Sequence, residues 1–334
     1  MYSARCFRVL RPGEAAVVDV ELPTPGPDDV VVAARHSAIS RGTELLVYRG
    51  GVPAGEAQRM RAPFQVGEFP GPVTYGYLAV GTVESGPEPL VGRDVFCLHP
   101  HQTRFVVPAS AVSVVPDDVP PARAVLAGTV ETAVNACWDA GPRVGDRIAV
   151  VGAGMVGCSV AALLASIAGV RVQLVDVEAS RADTAVALGV GFATPDEALG
   201  DCDLVFHTSG TAAGLARSLE LLGVEGEVIE MSWYGDREVS VPLGAGFHAG
   251  RLAVRSSQVG MVSGARRARR TYADRIALAL RLLADDRFEA LITDAVPFEA
   301  LPETMARLAA GAPGLAVRVD YGPSPVAPLA PGGS

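Results

Sequence analysis

The stretch Ile148-Ala149-Val150-Val151-Gly152-Ala153-Gly154-Met155-Val156-Gly157 narrows the possible folds more than any other part of the chain. A β-branched apolar run ends on glycines at G-x-G-x-x-G spacing, and small apolar residues follow as in a helix. Strand, turn and helix in that order separate the motif from a chance match. The first glycine allows the tight turn, the second lets a phosphate approach the backbone, and the third lets helix pack on strand. The helix start, with Met155 and Val156 in its first turn, adds free N–H donors and a positive dipole end, so a pyrophosphate is the expected ligand. The following strand ends on Asp176, about 20 residues on, where a carboxylate accepts hydrogen bonds from the adenosine ribose. This favours NAD(H) over NADP(H), although Arg181, shortly after, is a side chain that can accommodate a 2′-phosphate.

From Arg147 onward strands alternate with helices, which implies right-handed crossovers and a doubly wound parallel sheet in an α/β fold. Strand ends on the carboxyl edge of such a sheet face ligand, so Thr208, Ser209, Gly210, Ser256 and Ser257 are expected on the nicotinamide side. Before that region, short β-branched runs punctuated by Pro, Gly and Asp predict a β-rich unit, and Pro120–Ala140 reads as a helix stopped by Gly141-Pro142. The expected organisation is a β-rich unit over 1–120, a dinucleotide unit over 121–262, and a segment 263–320 returning to the first unit. The tail 321–334, rich in Pro, Gly and Ser, is expected to be disordered.

A net charge of −9 argues against nucleic acid or anionic membrane as partner. The one dense cationic run, Arg266, Arg267, Arg269 and Arg270, reads as a solvated helix face. All cationic side chains are arginine, so lysine Schiff-base chemistry and a lysine-bearing phosphate loop are excluded. Five scattered cysteines with no C-x-x-C pair suggest free thiols rather than disulfides or a structural zinc. With neither a signal-like N-terminus nor a long apolar span, the protein is expected in the cytoplasm.

The phrases SAISRGTELLVYRG near residue 40, GPRVGDRIAVVGAGMVG over 141–157 and FEALPETMARLAAGAPGLAVRV near the end resemble the medium-chain dehydrogenase/reductase superfamily. Within it, S-x-I-S-x-G-T-E looks most like the branch containing bacteriochlorophyllide a dehydrogenase. The resemblance implies a GroES-like catalytic domain beside a Rossmann domain, a small-molecule substrate and a homodimer formed through the edge strand of the cofactor domain. Many alcohol-dehydrogenase-like members hold catalytic zinc through a Cys, a His and a third Cys or Glu. Here Arg41, or Ser40 with one extra loop residue, stands at the Cys position, Tyr77 at the His position, and Glu131 only in a shifted register near the third. Three protein ligands are therefore lacking, and no zinc is expected.

Without a metal, hydrogen-bond donors must stabilise the oxygen that becomes an alkoxide. The resemblance makes Thr43 the first candidate, with Tyr77 and Arg41 as further donors. His99, with His101 as substitute, is expected as general acid/base, because an imidazole near pH 7 suits proton exchange. The expected activity is zinc-independent, NAD(H)-dependent interconversion of a secondary alcohol and a ketone on a cyclic or polyol-like biosynthetic intermediate. An NADPH-dependent quinone or enoyl reductase of the same superfamily and a non-catalytic dinucleotide-binding protein are the alternatives.

Overall fold

The computed structural model describes residues 3–322; most of the tail expected over 321–334 lies outside them. Six parallel strands form one sheet in the order Gly191–Ala193, Arg171–Val175, Arg147–Val151, Cys202–His207, Leu222–Glu230, Ala253–Ser256. Counted along the chain this is 3-2-1-4-5-6, the doubly wound dinucleotide-binding order, and its carboxyl edge at the central reversal is where ligands sit. The inner strands are apolar on both faces, with Ile148, Ala149, Val150, Leu174, Val205, Phe206, Val228 and Ile229 all buried, as a sheet covered by helices on both sides requires.

A second sheet of seven strands runs Ile292–Pro297, Ala316–Asp320, Asp29–Ile39, Ala79–Ser85, Asp94–Cys97 and Val112–Val114, with Arg104–Pro108 also paired to Asp29–Ile39. Residues near the end of the chain thus pair antiparallel with an early strand, Val317 opposite Ile39. A third sheet of four strands is led by Ser3–Arg11 and Glu14–Glu21. Together the sheets are the GroES-like β-rich architecture beside a Rossmann sheet.

Arg275 from the helix Tyr272–Leu282 is 1% exposed. It donates to Glu131 Oε1 at 2.8 Å and to Asn135 Oδ1 at 2.5 Å on the helix Ala127–Ala140, and to the carbonyls of Val259 and Met261. A buried guanidinium is tolerable only when its donors are matched in this way. The helix expected over Pro120–Ala140 is broken after Ala124 and resumes at Ala127.

Candidate functional site

The glycine turn is crowded at its first and third glycines and open at its second. Gly152 has φ +111°, which strains any side chain, and a Cβ there would lie 2.7 Å from Ser209 N. A Cβ on Gly157 would strike the Gly152 carbonyl oxygen and lie 2.6 Å from Thr208 Oγ1, so only glycine lets this helix close on the strand. Gly154, the exposed cap of the helix Met155–Leu164, has nothing within 4 Å of its Cβ position. Its backbone is open to a ligand, with half-buried Met155 and Val156 next to it. Asp176 Oδ2 accepts from Ala153 N at 2.6 Å and Oδ1 from Glu178 N at 2.9 Å, which holds the carboxylate over the turn. Arg181 donates to Gly314 O at 3.5 Å, and Arg41 reaches the same carbonyl.

Thr208 Oγ1 donates to Gly152 O at 2.8 Å and so buttresses the turn. Ser209 Oγ is 2.7 Å from His207 Nε2, and Gly210 N donates to Ser232 Oγ at 3.0 Å. His207 and Glu230 are cross-strand partners, so their side chains meet at 2.8 Å beneath the strand ends. Burial pulls the Glu230 carboxyl up, but the hydrogen bond and charge of His207 and the Ser232 donors leave it below its ordinary value. This pair was not anticipated from the sequence; the signal was a histidine and a glutamate each closing an adjacent parallel strand. Ser256 lies exposed on the edge strand, and Ser257 Oγ donates to Asp139 at 2.7 Å, so Ser257 is occupied within the fold.

In the β-rich unit, Tyr77 Oη donates to Ser40 Oγ at 2.6 Å, with the Thr43 side chain also hydrogen-bonded to the phenol. Ser40 caps the helix Arg41–Tyr48, which the sequence reading missed, and Ser40 N donates to Glu44 Oε1 at 2.8 Å. Glu44 Oε2 takes His101 Nε2 at 2.8 Å, with the two side chains 2% and 1% exposed. His101 Nδ1 lies 2.7 Å from Ser37 Oγ, which lies 2.9 Å from Tyr321 Oη. Because a carboxylate only accepts, His101 presents an N–H to Glu44 at Nε2. Burial, then the Glu44 charge, push the Tyr77 hydroxyl up to about 12 against the Ser40 and Thr43 hydrogen bonds. Tyr77 is therefore a donor at neutral pH.

Two expected residues stand elsewhere. His99 is stacked on Phe105 at 4.0 Å and on Phe64 at 5.5 Å, with Nδ1 donating to Pro100 O. Burial lowers it to about 4 despite the Pro100 carbonyl, so it is neutral across the physiological range and does not fit the acid/base role expected of it. The backbone turns at His99, whose N–H bonds to Cys97 O, so His99 and His101 do not face one site together. Arg41 spends its donors on the carbonyls of Gly314 and Ala312, away from the Tyr77 hydroxyl. Near the third former ligand position Glu131 is tied to Arg275, and among the described residues no three His, Cys, Asp or Glu side chains are grouped to hold a metal ion.

No family model matches the sequence. An L-threonine 3-dehydrogenase from Deinococcus radiodurans is 28% identical over 212 residues, 56% of this chain, and the match spans 60% of that relative's length. A short chain alcohol dehydrogenase from Escherichia coli CFT073, complexed with NADH, is 16% identical with a TM-score of 0.76 over 96% of this chain and 100% of its own. A putative zinc-binding dehydrogenase from Sinorhizobium meliloti 1021, bound to NADP, is 17% identical with a TM-score of 0.78 over 96% and 100% of the two chains. Among the described residues no helix is long and apolar enough to cross a membrane. The chain thus has a partial sequence likeness to one dehydrogenase and shares the fold of others over nearly its whole length.

Proposed function

We propose that the protein is a zinc-independent, NAD(H)-dependent dehydrogenase that interconverts a secondary alcohol and a ketone on a cyclic or polyol-like biosynthetic intermediate. The carrying observation is the 2.6 Å hydrogen bond between Tyr77 and Ser40, with Thr43 beside it. Tyr77 stands where zinc-dependent relatives place a His, Arg41 or, with one extra loop residue, Ser40 where they place a Cys, and the nearby acid, Glu131, is consumed by Arg275. Such a donor set does not fit zinc. The glycine turn does fit a dinucleotide: the open backbone at Gly154 and the helix start after it would hold the pyrophosphate, and Asp176 the ribose. When bound, the nicotinamide supplies or takes up the hydride.

The work left to the chain is to hold the substrate oxygen. Thr43, Tyr77 and Ser40 form a compact hydroxyl cluster that can donate to a developing alkoxide, and donors fixed before reaction stabilise such charge most strongly where water is excluded. Glu44 fixes the Ser40 end of this cluster, and burial, then the Glu44 charge, keep Tyr77 protonated. The lobe 1–120 with 263–320 would carry these groups, and 121–262 the cofactor. We further read the protein as a cytoplasmic homodimer joined through Ala253–Ser256, an edge strand exposed at every residue.

Thr43→Val should lower kcat by about 10²- to 10⁴-fold with NADH affinity unchanged, and Tyr77→Phe by less, in an enzyme indifferent to chelators. Near-wild-type turnover by Thr43→Val, or activity lost together with a bound zinc, would overturn the reading.

A further inference from the structure

The segment 264–270 exposes Arg266, Arg267, Arg269 and Arg270 in a chain of net charge −9. It is a series of tight turns rather than the helix face expected of it: Arg266 N and Arg267 N both donate to Ser263 O at 2.8 Å, and Arg269 N and Arg270 N to Arg266 O. Its base is fixed from below. Ser263, 3% exposed, donates its N–H to Asn135 Oδ1, and Arg275 grips the carbonyls of Val259 and Met261. The guanidinium groups are thus carried on an anchored loop.

More than half of the chain's arginines lie within 4.0 Å of a carboxylate. Among the described residues these four make no side-chain hydrogen bond or ion pair. The neighbouring acid, Asp274, turns its carboxylate to the N–H and hydroxyl of Thr271, at 2.8 and 2.9 Å. Arg267 folds back toward Gly264, while Arg266, Arg269 and Arg270 line a cavity of about 440 Å³ with Trp138 and Leu278. Like charges gathered without an acceptor repel one another, and a multivalent anion removes that cost. The planar guanidinium fork matches phosphate oxygens two at a time, and a half-buried indole with a leucine offers a flat apolar wall for a planar base. A cavity of this size takes a small molecule.

We propose that this cavity is a second nucleotide site, separate from the glycine turn, which takes a nucleoside diphosphate or triphosphate with its phosphates on Arg266, Arg269 and Arg270 and its base against Trp138. It shares no residue with the stretch Gly152–Gly157 or with Asp176.

Calorimetric titration of the full chain with ADP at low ionic strength, with and without saturating NADH, tests it. ADP should bind in the presence of NADH, and Arg269→Gln with Arg270→Gln should weaken that binding by about tenfold or more, the loss expected for charge-assisted hydrogen bonds. Trp138→Leu should weaken ADP but not inorganic pyrophosphate, and NADH affinity, unchanged in all variants, confirms that they fold. Abolition of ADP binding by NADH, or ADP affinity indifferent to the arginine substitutions, overturns the site. Equal affinity for pyrophosphate and ADP overturns the base pocket, and a single-stranded oligonucleotide binding far more tightly than ADP makes the loop a nucleic-acid surface instead.

Discussion

Replacing Glu44 distinguishes two roles for the buried pair it forms with His101. Its oxygens accept from Ser40 N and from His101 Nε2, both at 2.8 Å, on a side chain only 2% exposed. Glu44→Ala strands both donors away from water at about 1–3 kcal/mol each and leaves a small void, for a total of about 3–5 kcal/mol. Glu44→Gln has a way out. If its amide oxygen keeps Ser40 N, its NH₂ can donate to His101 Nε2, provided that His101 moves its proton to Nδ1. That proton then faces Ser37 Oγ, which turns its own toward Tyr321 Oη, so the bonds from residue 44 through His101 and Ser37 to Tyr321 are remade in the opposite direction while that of Ser40 N is kept. What remains is the exchange of charge-assisted for neutral hydrogen bonds, about 1–2 kcal/mol. Urea unfolding of the wild type and both variants at pH 7 reads the difference. Equal losses for Gln and Ala would refute the reversible chain.

Three other outcomes can be measured. Because burial holds His99 at about 4 while the unfolded residue titrates near 6.5, the unfolded chain binds the extra proton between those values. Stability should fall with acidification from about pH 6.5 to 4, by up to about 3 kcal/mol, and His99→Gln should remove that slope while leaving the rate profile between pH 6 and 9 unchanged. Gly157→Ala gains about 1 kcal/mol of helix propensity yet sets its methyl against a backbone carbonyl, so thermal unfolding should show a net loss of about 1–2 kcal/mol and NADH titration a weaker complex. NADH should bind at least about tenfold more tightly than NADPH in a fluorescence titration, since the Asp176 carboxylate meets a 2′-phosphate; parity would assign Arg181 to that phosphate.

The parallel sheet and its turn were legible because they are local: the glycine spacing, the apolar strand and the terminal Asp176 lie within one strand-helix-strand unit. Thr43 and Tyr77 were legible only through their places in motifs, and the structure brings them together. The rest depends on distant pairing. No local pattern joins Ser37 to Tyr321, and they meet because Asp320 pairs with His36 across the sheet. His99 and His101 look equivalent in sequence, but a backbone turn sends one between two phenylalanines and the other to Glu44. The helix Arg41–Tyr48 was hidden because Thr-Glu-Leu-Leu-Val-Tyr carries strand-forming and helix-forming residues in equal measure.

The pairing of Ala316–Asp320 with Asp29–Ile39 also bears on the order in which the molecule can form. A ribosome delivers Ser40 and Tyr77 long before it delivers the strands that flank their sheet, whereas the whole stretch from Arg147 to Ser256 emerges as one run with its neighbours in order. The dinucleotide sheet can therefore assemble during synthesis, while the lobe bearing the hydroxyl cluster waits with an unpaired strand edge until Ala316–Asp320 is released. That interval, rather than any weakness of the finished fold, is when this protein is most exposed to aggregation.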